Sequence, residues 1–168
     1  MTNKERSKAI REEIKKLGYN TKQVSVRSRY CGYSDATDIT VKDLNCDIKA
    51  IEKACTKFES IDYDQYSGEI LSGGNTYISV KWDYEALKKV EEEKMQEAEN
   101  LIAEAENGKV IFENTEKKLV LCKSGEQYDI AEFLTGYYCG TIKVTPCTKE
   151  RMKHTLAYYL ATKFQEVA

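Results

Sequence analysis

The chain has 168 residues, of which 41% are hydrophobic and 32% charged, and its net charge at pH 7 is −2. This length and composition suffice for a folded hydrophobic core and exclude an intrinsically disordered chain. The small net charge excludes a generic, strongly basic nucleic-acid binder and an all-over acidic mimic of DNA, since both need a strong field of one sign.

The first residues are charged, and no apolar run is long enough for a signal peptide or a membrane span. We therefore expect a cytoplasmic protein with no membrane partner. In that reducing compartment its six cysteines should be thiols rather than disulfides.

The first half of the chain predicts an α+β unit with the order αββαβ. Apolar residues at helical spacing predict a helix over residues 3–17, and alternating residues predict strands over 24–30 and 37–42. Asn45 or Asp47 should cap a second helix that reaches Phe58, residues 60–74 should form a loop with at most one helical turn, and residues 76–82 should form a third strand. We expect an antiparallel or mixed sheet with the helices on one face.

The second half predicts a long acidic helix over residues 84–107, because the composition there shifts to Ala, Glu and Lys. Part of this helix should project, because it is longer than a small domain needs. A β-hairpin over 110–121 and a strand over 140–144, ended by Pro146, should follow. Thr148 should then cap a C-terminal helix. The predicted domains are residues 1–83, the helix 84–107, and a small region 108–168 that packs on the rest.

A basic face of the predicted N-terminal sheet is the first candidate site. Alternation along the strands places five binding candidates on the side away from the helices: Arg27, Arg29, Lys42, Tyr77 and Lys81. Such a face can neutralise phosphates and stack bases, or receive an acidic protein patch. The alternative is an ordinary solvated face, or one covered by the second half of the chain.

The acidic helix is the second candidate, through Glu91, Glu92 and Glu93. Glutamates on a projecting helix can enter a basic groove of a partner and imitate a track of phosphates. The alternative is a solvated helix that is supported by ion pairs between neighbouring turns.

A metal site is the third candidate. Cys122, Cys139, Cys147 and His154 could together bind zinc, although no CxxC spacing brings two of these ligands together in advance. The expectation is that the chain binds no cofactor, and this zinc site is the alternative. No catalytic residues are predicted, because the single histidine has no nucleophile motif near it.

Several short segments of the first half together resemble one of the large polyvalent protein-associated domains of phage and conjugative-element proteins. The segments are residues 9–16, 24–27, 39–41, 51–53, 57–58, 63–64 and 74–78. The likeness covers residues 8–84. It implies an origin in a mobile genetic element and an accessory or counter-defence role, such as an anti-CRISPR protein, with no catalytic residues to carry over.

Two functions are consistent with these features. The first is a non-enzymatic protein that binds and inhibits a host protein or ribonucleoprotein nuclease complex, such as a CRISPR effector, through charged surfaces. The second is a nucleic-acid-binding module that uses the basic face of the N-terminal sheet.

Overall fold

A computed structural model describes residues 1–105, 108–134 and 140–165 and confirms the α+β class. Within these ranges the chain forms four α-helices, a short 3-10 helix and seven strands in two sheets. It divides into two compact units. The described residues of the first unit are Met1–Leu87 and Gln165, and those of the second lie within Lys88–Phe164.

The first unit has the predicted order of helices and strands. Its elements are α1 (Asn3–Lys16), β1 (Val24–Cys31), β2 (Ser34–Val41), α2 (Ile48–Cys55), a 3-10 helix (Thr56–Phe58) and β3 (Thr76–Trp82). The strands lie in the order β1-β2-β3; β1 pairs with β2 antiparallel and β2 with β3 parallel, so the sheet is mixed. Because β2 and β3 are parallel, α2 and the residues after it return the chain to the end of the sheet where β2 begins.

The two helices of this unit begin at side-chain caps that the sequence contains. Thr2 and Glu5 form a capping box at the start of α1, and the Asp47 side chain accepts from the Ala50 N–H at 2.9 Å at the start of α2. The second helix ends at Cys55. Phe58, which we expected on α2, lies in the 3-10 helix and is half-buried.

Apolar side chains of α1 and α2 pack on one face of this sheet and form the core. The buried residues are Ile10, Ile14, Val24, Val26, Ile39, Val41, Ile48, Ile51, Cys55, Val80 and Trp82. Their two-residue period on the strands and three- to four-residue period on the helices are the patterns that predicted the elements. The opposite face of the sheet is therefore left to polar residues.

A buried ion pair fixes α1 to the sheet. The Arg6 guanidinium, whose residue is 5% exposed, donates from Nη1 and Nη2 to Asp35 Oδ2 at 3.1 Å each. Asn3 binds both partners: its Oδ1 accepts from Arg6 at 2.8 Å and its Nδ2 donates to Asp35 at 2.9 Å. Each of the three side chains is hydrogen-bonded to the other two, so this cluster fixes the position of α1 relative to β2.

A cluster of charged side chains joins α1 to the 3-10 helix and makes stability depend on pH. Glu13 lies 2.7 Å from Lys16 Nζ and 2.8 Å from Lys57 Nζ, and these hydrogen bonds lower its pKa from the ordinary 4.5 to about 2. The folded-state pKa is thus below the unfolded one, so the contribution of this carboxylate to stability is complete above pH 4.5 and is lost as the pH falls towards 2.

Glu13→Gln should lower Tm at neutral pH, and its difference from the wild type should disappear in acid. Thermal melts across this range check it, with the exposed Glu12→Gln as the control; a difference that persists at the acidic end would contradict it.

The second unit is a four-stranded antiparallel meander with helical residues against it. Its elements are the later part of α3 (Tyr84–Ala103), β4 (Lys109–Glu113), β5 (Lys117–Ser124), β6 (Gln127–Leu134), β7 (Thr141–Cys147) and α4 (Lys149–Ala161). The strand order is β4-β5-β6-β7. The hairpin of β4 and β5 and the Thr148 cap of α4 are as the sequence predicts.

Three features of this unit differ from the prediction. The strand β6 was not predicted, since the sequence indicated no strand between the hairpin over 110–121 and residue 140. The strand β7 runs through Pro146, because β7 is an edge strand where a missing N–H breaks no ladder bond. The helix α3 ends at Ala103 rather than residue 107, and its later part packs in the core of the unit through Ala98 and Ile102. The stacked rings of Phe112 and Phe164, with centroids 4.5 Å apart, complete that core.

Candidate functional site

The strand register brings the predicted basic residues to one face of the first sheet. Across the three strands Ser25, Thr40 and Lys81 are aligned, as are Arg27, Asp38 and Ser79, and as are Arg29, Ala36 and Tyr77. Aligned residues share a face, and each row is two residues from the next. This face lies opposite the core, and Arg27, Arg29 and Lys81 are exposed on it.

Three of the five binding candidates line one concavity on this face, which we call the sheet-face cleft. Its lining residues are Ser25, Arg27, Asp38, Thr40, Lys42, Lys81 and Asp83, and its volume is about 320 Å³. The cleft therefore combines three cations with two hydroxyls and two carboxylates. Since its floor is a hydrogen-bonded sheet, the side chains project from a rigid base.

The two carboxylates of the cleft already have partners. Asp38 Oδ2 accepts from Arg29 Nε at 3.0 Å, and this hydrogen bond raises the pKa of Arg29. Asp83 Oδ1 accepts from the Ala86 N–H at 3.1 Å, at the start of α3. Within the described residues no hydrogen bond or ion pair holds the side chains of Arg27, Lys42 and Lys81. These three cations remain available to an external anionic group.

The remaining two candidates lie beside the cleft rather than in it. Arg29 and Tyr77 occupy the row between the cleft and the β1–β2 turn, with Ala36 between them. The carboxylates Asp38 and Asp83 were not among the sequence candidates. Asp38 could have been found, because it is two residues from Thr40 and hence on the same face.

The three glutamates of α3 are not grouped on one surface. Glu91 is half-buried with Oε1 3.8 Å from His154 Nδ1, whereas Glu92 and Glu93 are exposed. Successive residues of a helix point about 100° apart, so three consecutive side chains diverge. Other charges of α3 are paired within the second unit, including Glu99 with Lys153 at 3.1 Å. The helix therefore lacks a continuous row of free carboxylates among its described side chains.

The predicted zinc ligands fall in separate places. Cys122 is aligned with Asp129, and Cys147 with Tyr128, so these two cysteines lie on opposite faces of the second sheet. Burial raises the pKa of both thiols, which disfavours the thiolate that binds metal. His154 is exposed on α4, and Cys139 lies outside the described residues. In the described ranges no three potential ligands converge, and zinc binding stays a prediction that metal analysis of the purified protein tests.

The predicted loop over residues 60–74 is held in place by the buried Asn75, which directly follows it. Asn75 is 2% exposed; its Oδ1 accepts from the Asp62 N–H at 2.8 Å and its Nδ2 donates to the Leu71 carbonyl at 2.7 Å. Tyr63 and Ile70 form an antiparallel bridge, and between them the Gly68 N–H donates to the Asp64 carbonyl at 3.0 Å, which is a single turn with the hydrogen bond of a helix. The loop is therefore a closed, hydrogen-bonded structure. It lies at the end of the sheet where β3 begins.

Asn75→Ala should destabilise the first unit by about 2 kcal/mol, because it removes two part-buried hydrogen bonds, to the Asp62 N–H and the Leu71 carbonyl, of about 1 kcal/mol each. Urea unfolding followed by the fluorescence of Trp82, the single tryptophan, reports this unit. Ser72→Ala, in the exposed part of the same loop, should change stability by less than about 0.5 kcal/mol. Equal stabilities of the two variants would show that the asparagine does not hold the loop.

No family model, curated protein or solved structure matches this chain. In the described residues no helix is both long and apolar enough to cross a bilayer. The side chains described above therefore provide the structural basis for a functional proposal.

Proposed function

We propose that this chain is a non-enzymatic accessory protein of a phage or another mobile genetic element. It binds a host defence nuclease complex, such as a CRISPR effector, and inhibits it. The resemblance of residues 8–84 supports the origin, and the sheet-face cleft supports the mode of binding. The site of action is the host cytoplasm.

The observation that carries this proposal is the set of three unpaired cations in the sheet-face cleft. Arg27, Lys42 and Lys81 surround one concavity together with the hydroxyls of Ser25 and Thr40. Such a group binds a carboxylate or a phosphate through charge-assisted hydrogen bonds.

The two carboxylates in the same cleft restrict what it binds. Asp38 and Asp83 repel a continuous phosphate backbone but tolerate a single anionic group that is held by the cations. A nuclease complex presents isolated acidic side chains and phosphates at defined positions, which suits this mixed pattern. The cleft thus favours a structured partner over bulk nucleic acid.

The second candidate is a nucleic-acid-binding module that uses the same face. Tyr77 and Arg29 lie in the row beside the cleft, and a half-buried tyrosine next to cations is a place for a base to stack. This function predicts that naked single-stranded RNA or DNA binds as well as any host complex. It also predicts a steep dependence of that affinity on salt.

A capture experiment with two matched variants separates these functions. The cleft variant carries Arg27→Ala, Lys42→Ala and Lys81→Ala. The lysine control variant carries Lys22→Ala, Lys49→Ala and Lys53→Ala, which remove three equally exposed charges elsewhere on the first unit. Each protein is used to capture partners from a host lysate, with and without nuclease digestion.

The proposal predicts a protein complex that survives nuclease digestion, binds the wild type and the lysine control variant, and is lost with the cleft variant. Binding that digestion abolishes and naked nucleic acid reproduces would support the second candidate instead. Equal capture by the cleft variant and the wild type would overturn both, since neither function would then use the cleft.

A further inference from the structure

Large apolar side chains are exposed together at one end of the first sheet. They are Tyr30 (76% exposed), Tyr33 (87%), Tyr63 (54%), Tyr66 (100%), Ile70 (51%) and Leu71 (46%). The β1–β2 turn and the loop before β3 both lie at this end, because β2 and β3 are parallel and both begin here. We call this surface the tyrosine end. It holds six of the twelve exposed large hydrophobic residues in the described ranges, and such clustering marks interaction surfaces.

Backbone contacts join the β1–β2 turn to the loop before β3, the two segments that carry the tyrosine end. The Gly74 N–H donates to the Tyr33 carbonyl at 2.7 Å, and the Asp35 N–H donates to the Asn75 carbonyl at 2.8 Å. A Cβ on Gly73 would lie 3.5 Å from Tyr33 Cβ, so the loop and the turn are in direct contact. The exposed rings are therefore carried by two segments that contact each other at this end of the sheet.

The loop that carries Tyr63, Tyr66, Ile70 and Leu71 is held by internal hydrogen bonds that need no partner. Beyond the bonds of Asn75, the Asp64 N–H donates to the Glu69 carbonyl at 2.8 Å, and Asp64 Oδ1 accepts from the N–H groups of Tyr66 and Ser67. These backbone donors lower the pKa of Asp64, so its carboxylate stays ionised in the turn. A preformed loop with tyrosines, which have few rotatable bonds, loses little conformational entropy on binding.

The charge of the loop indicates the partner. Residues 59–75 contain Glu59, Asp62, Asp64 and Glu69 and no lysine or arginine. Asp62 and Glu69 are exposed next to the tyrosines. Four carboxylates repel phosphates, which disfavours nucleic acid here, and they attract a cationic protein surface.

We infer that the tyrosine end is a docking surface for a basic protein segment in which arginine or lysine alternates with apolar residues. Guanidinium groups would stack on the exposed rings and pair with Asp62 and Glu69, and apolar residues would cover Ile70 and Leu71. This surface is separate from the sheet-face cleft and carries the opposite charge, so the inference holds whether or not the cleft binds its partner.

Synthetic peptides of defined pattern test the inference by fluorescence anisotropy. The probe is a peptide that alternates arginine with leucine, and the comparison probes are the same peptide with glutamate in place of arginine and a single-stranded RNA. Two variants alter the surface: Tyr63→Ser with Tyr66→Ser, and Asp62→Asn with Glu69→Gln. Two controls alter exposed residues elsewhere that are not binding candidates: Tyr84→Ser, and Glu116→Gln with Glu126→Gln.

The wild type should bind the arginine–leucine peptide, and each surface variant should bind it about tenfold more weakly. The controls should bind like the wild type, and all proteins should unfold at the same urea concentration, because the altered side chains are exposed. No binding of the arginine–leucine peptide, or equal binding by the surface variants, would overturn the inference. So would preference for the glutamate peptide or the RNA. A dimer in sedimentation that Tyr63→Ser with Tyr66→Ser dissociates would assign the surface to a second copy of the chain instead.

Discussion

Arg6→Ala is expected to lower the free energy of unfolding of the first unit by about 3 kcal/mol, because it leaves the Asp35 carboxylate without its buried partner. The Arg6 guanidinium makes hydrogen bonds to Asp35, to Asn3 and to the Met1 carbonyl, and its side chain is 6% exposed. Its removal also leaves the Asn3 side chain without one of its two hydrogen bonds. The helix α1 would then lose its main polar attachment to β2.

Urea unfolding of the unit, followed by Trp82 fluorescence, measures this effect. Trp82 is 7% exposed and its indole N–H has no hydrogen-bond partner in the described residues, so its emission reports an apolar environment. Arg29→Ala is the matched control, since Arg29 pairs with Asp38 on the surface with 56% of its side chain exposed. An exposed pair contributes at most about 1 kcal/mol. If Arg6→Ala destabilised the unit no more than Arg29→Ala, the buried cluster would not be what holds α1.

The cleft variant is expected to bind the captured host complex about 100-fold more weakly than the wild type. This corresponds to about 1 kcal/mol for each of three charge-assisted contacts. Its stability should match that of the wild type, because Arg27, Lys42 and Lys81 are exposed and have no ion-pair partner in the described ranges. A large loss of affinity without loss of stability distinguishes a contact surface from a structural one.

The fold of the first unit follows from local patterns, whereas that of the second does so only in part. Alternation in residues 76–82 predicted β3 to the residue, and β1 and β2 to within a few residues. The strand β6 was missed because its alternation of apolar and polar residues ends after Ile130. The next residue on the same face is Glu132, a charged residue that pairs with Lys117. The end of α3 was placed too late because Ala and Glu continue past Ala103 while the chain turns towards β4.

The candidate site, too, could be predicted from the sequence only in part. A two-residue period in each strand is enough to place Arg27 and Lys81 on the face opposite the apolar residues. Successive side chains of a strand alternate between its two faces. The tyrosine end could not be predicted, because Tyr33 and Tyr66 lie in turns whose proximity depends on the parallel pairing of β2 and β3. The separation of Cys122 from Cys147 likewise depends on β6, the strand that the sequence did not indicate.

The dissociation constant of the nuclease-digested host complex, measured side by side for the wild type, the cleft variant and the lysine control variant, tests the central claim most directly. We predict that the wild type and the lysine control variant bind alike and that the cleft variant binds about 100-fold more weakly. Equal affinities of the cleft variant and the lysine control variant would contradict the claim that Arg27, Lys42 and Lys81 form the contact surface.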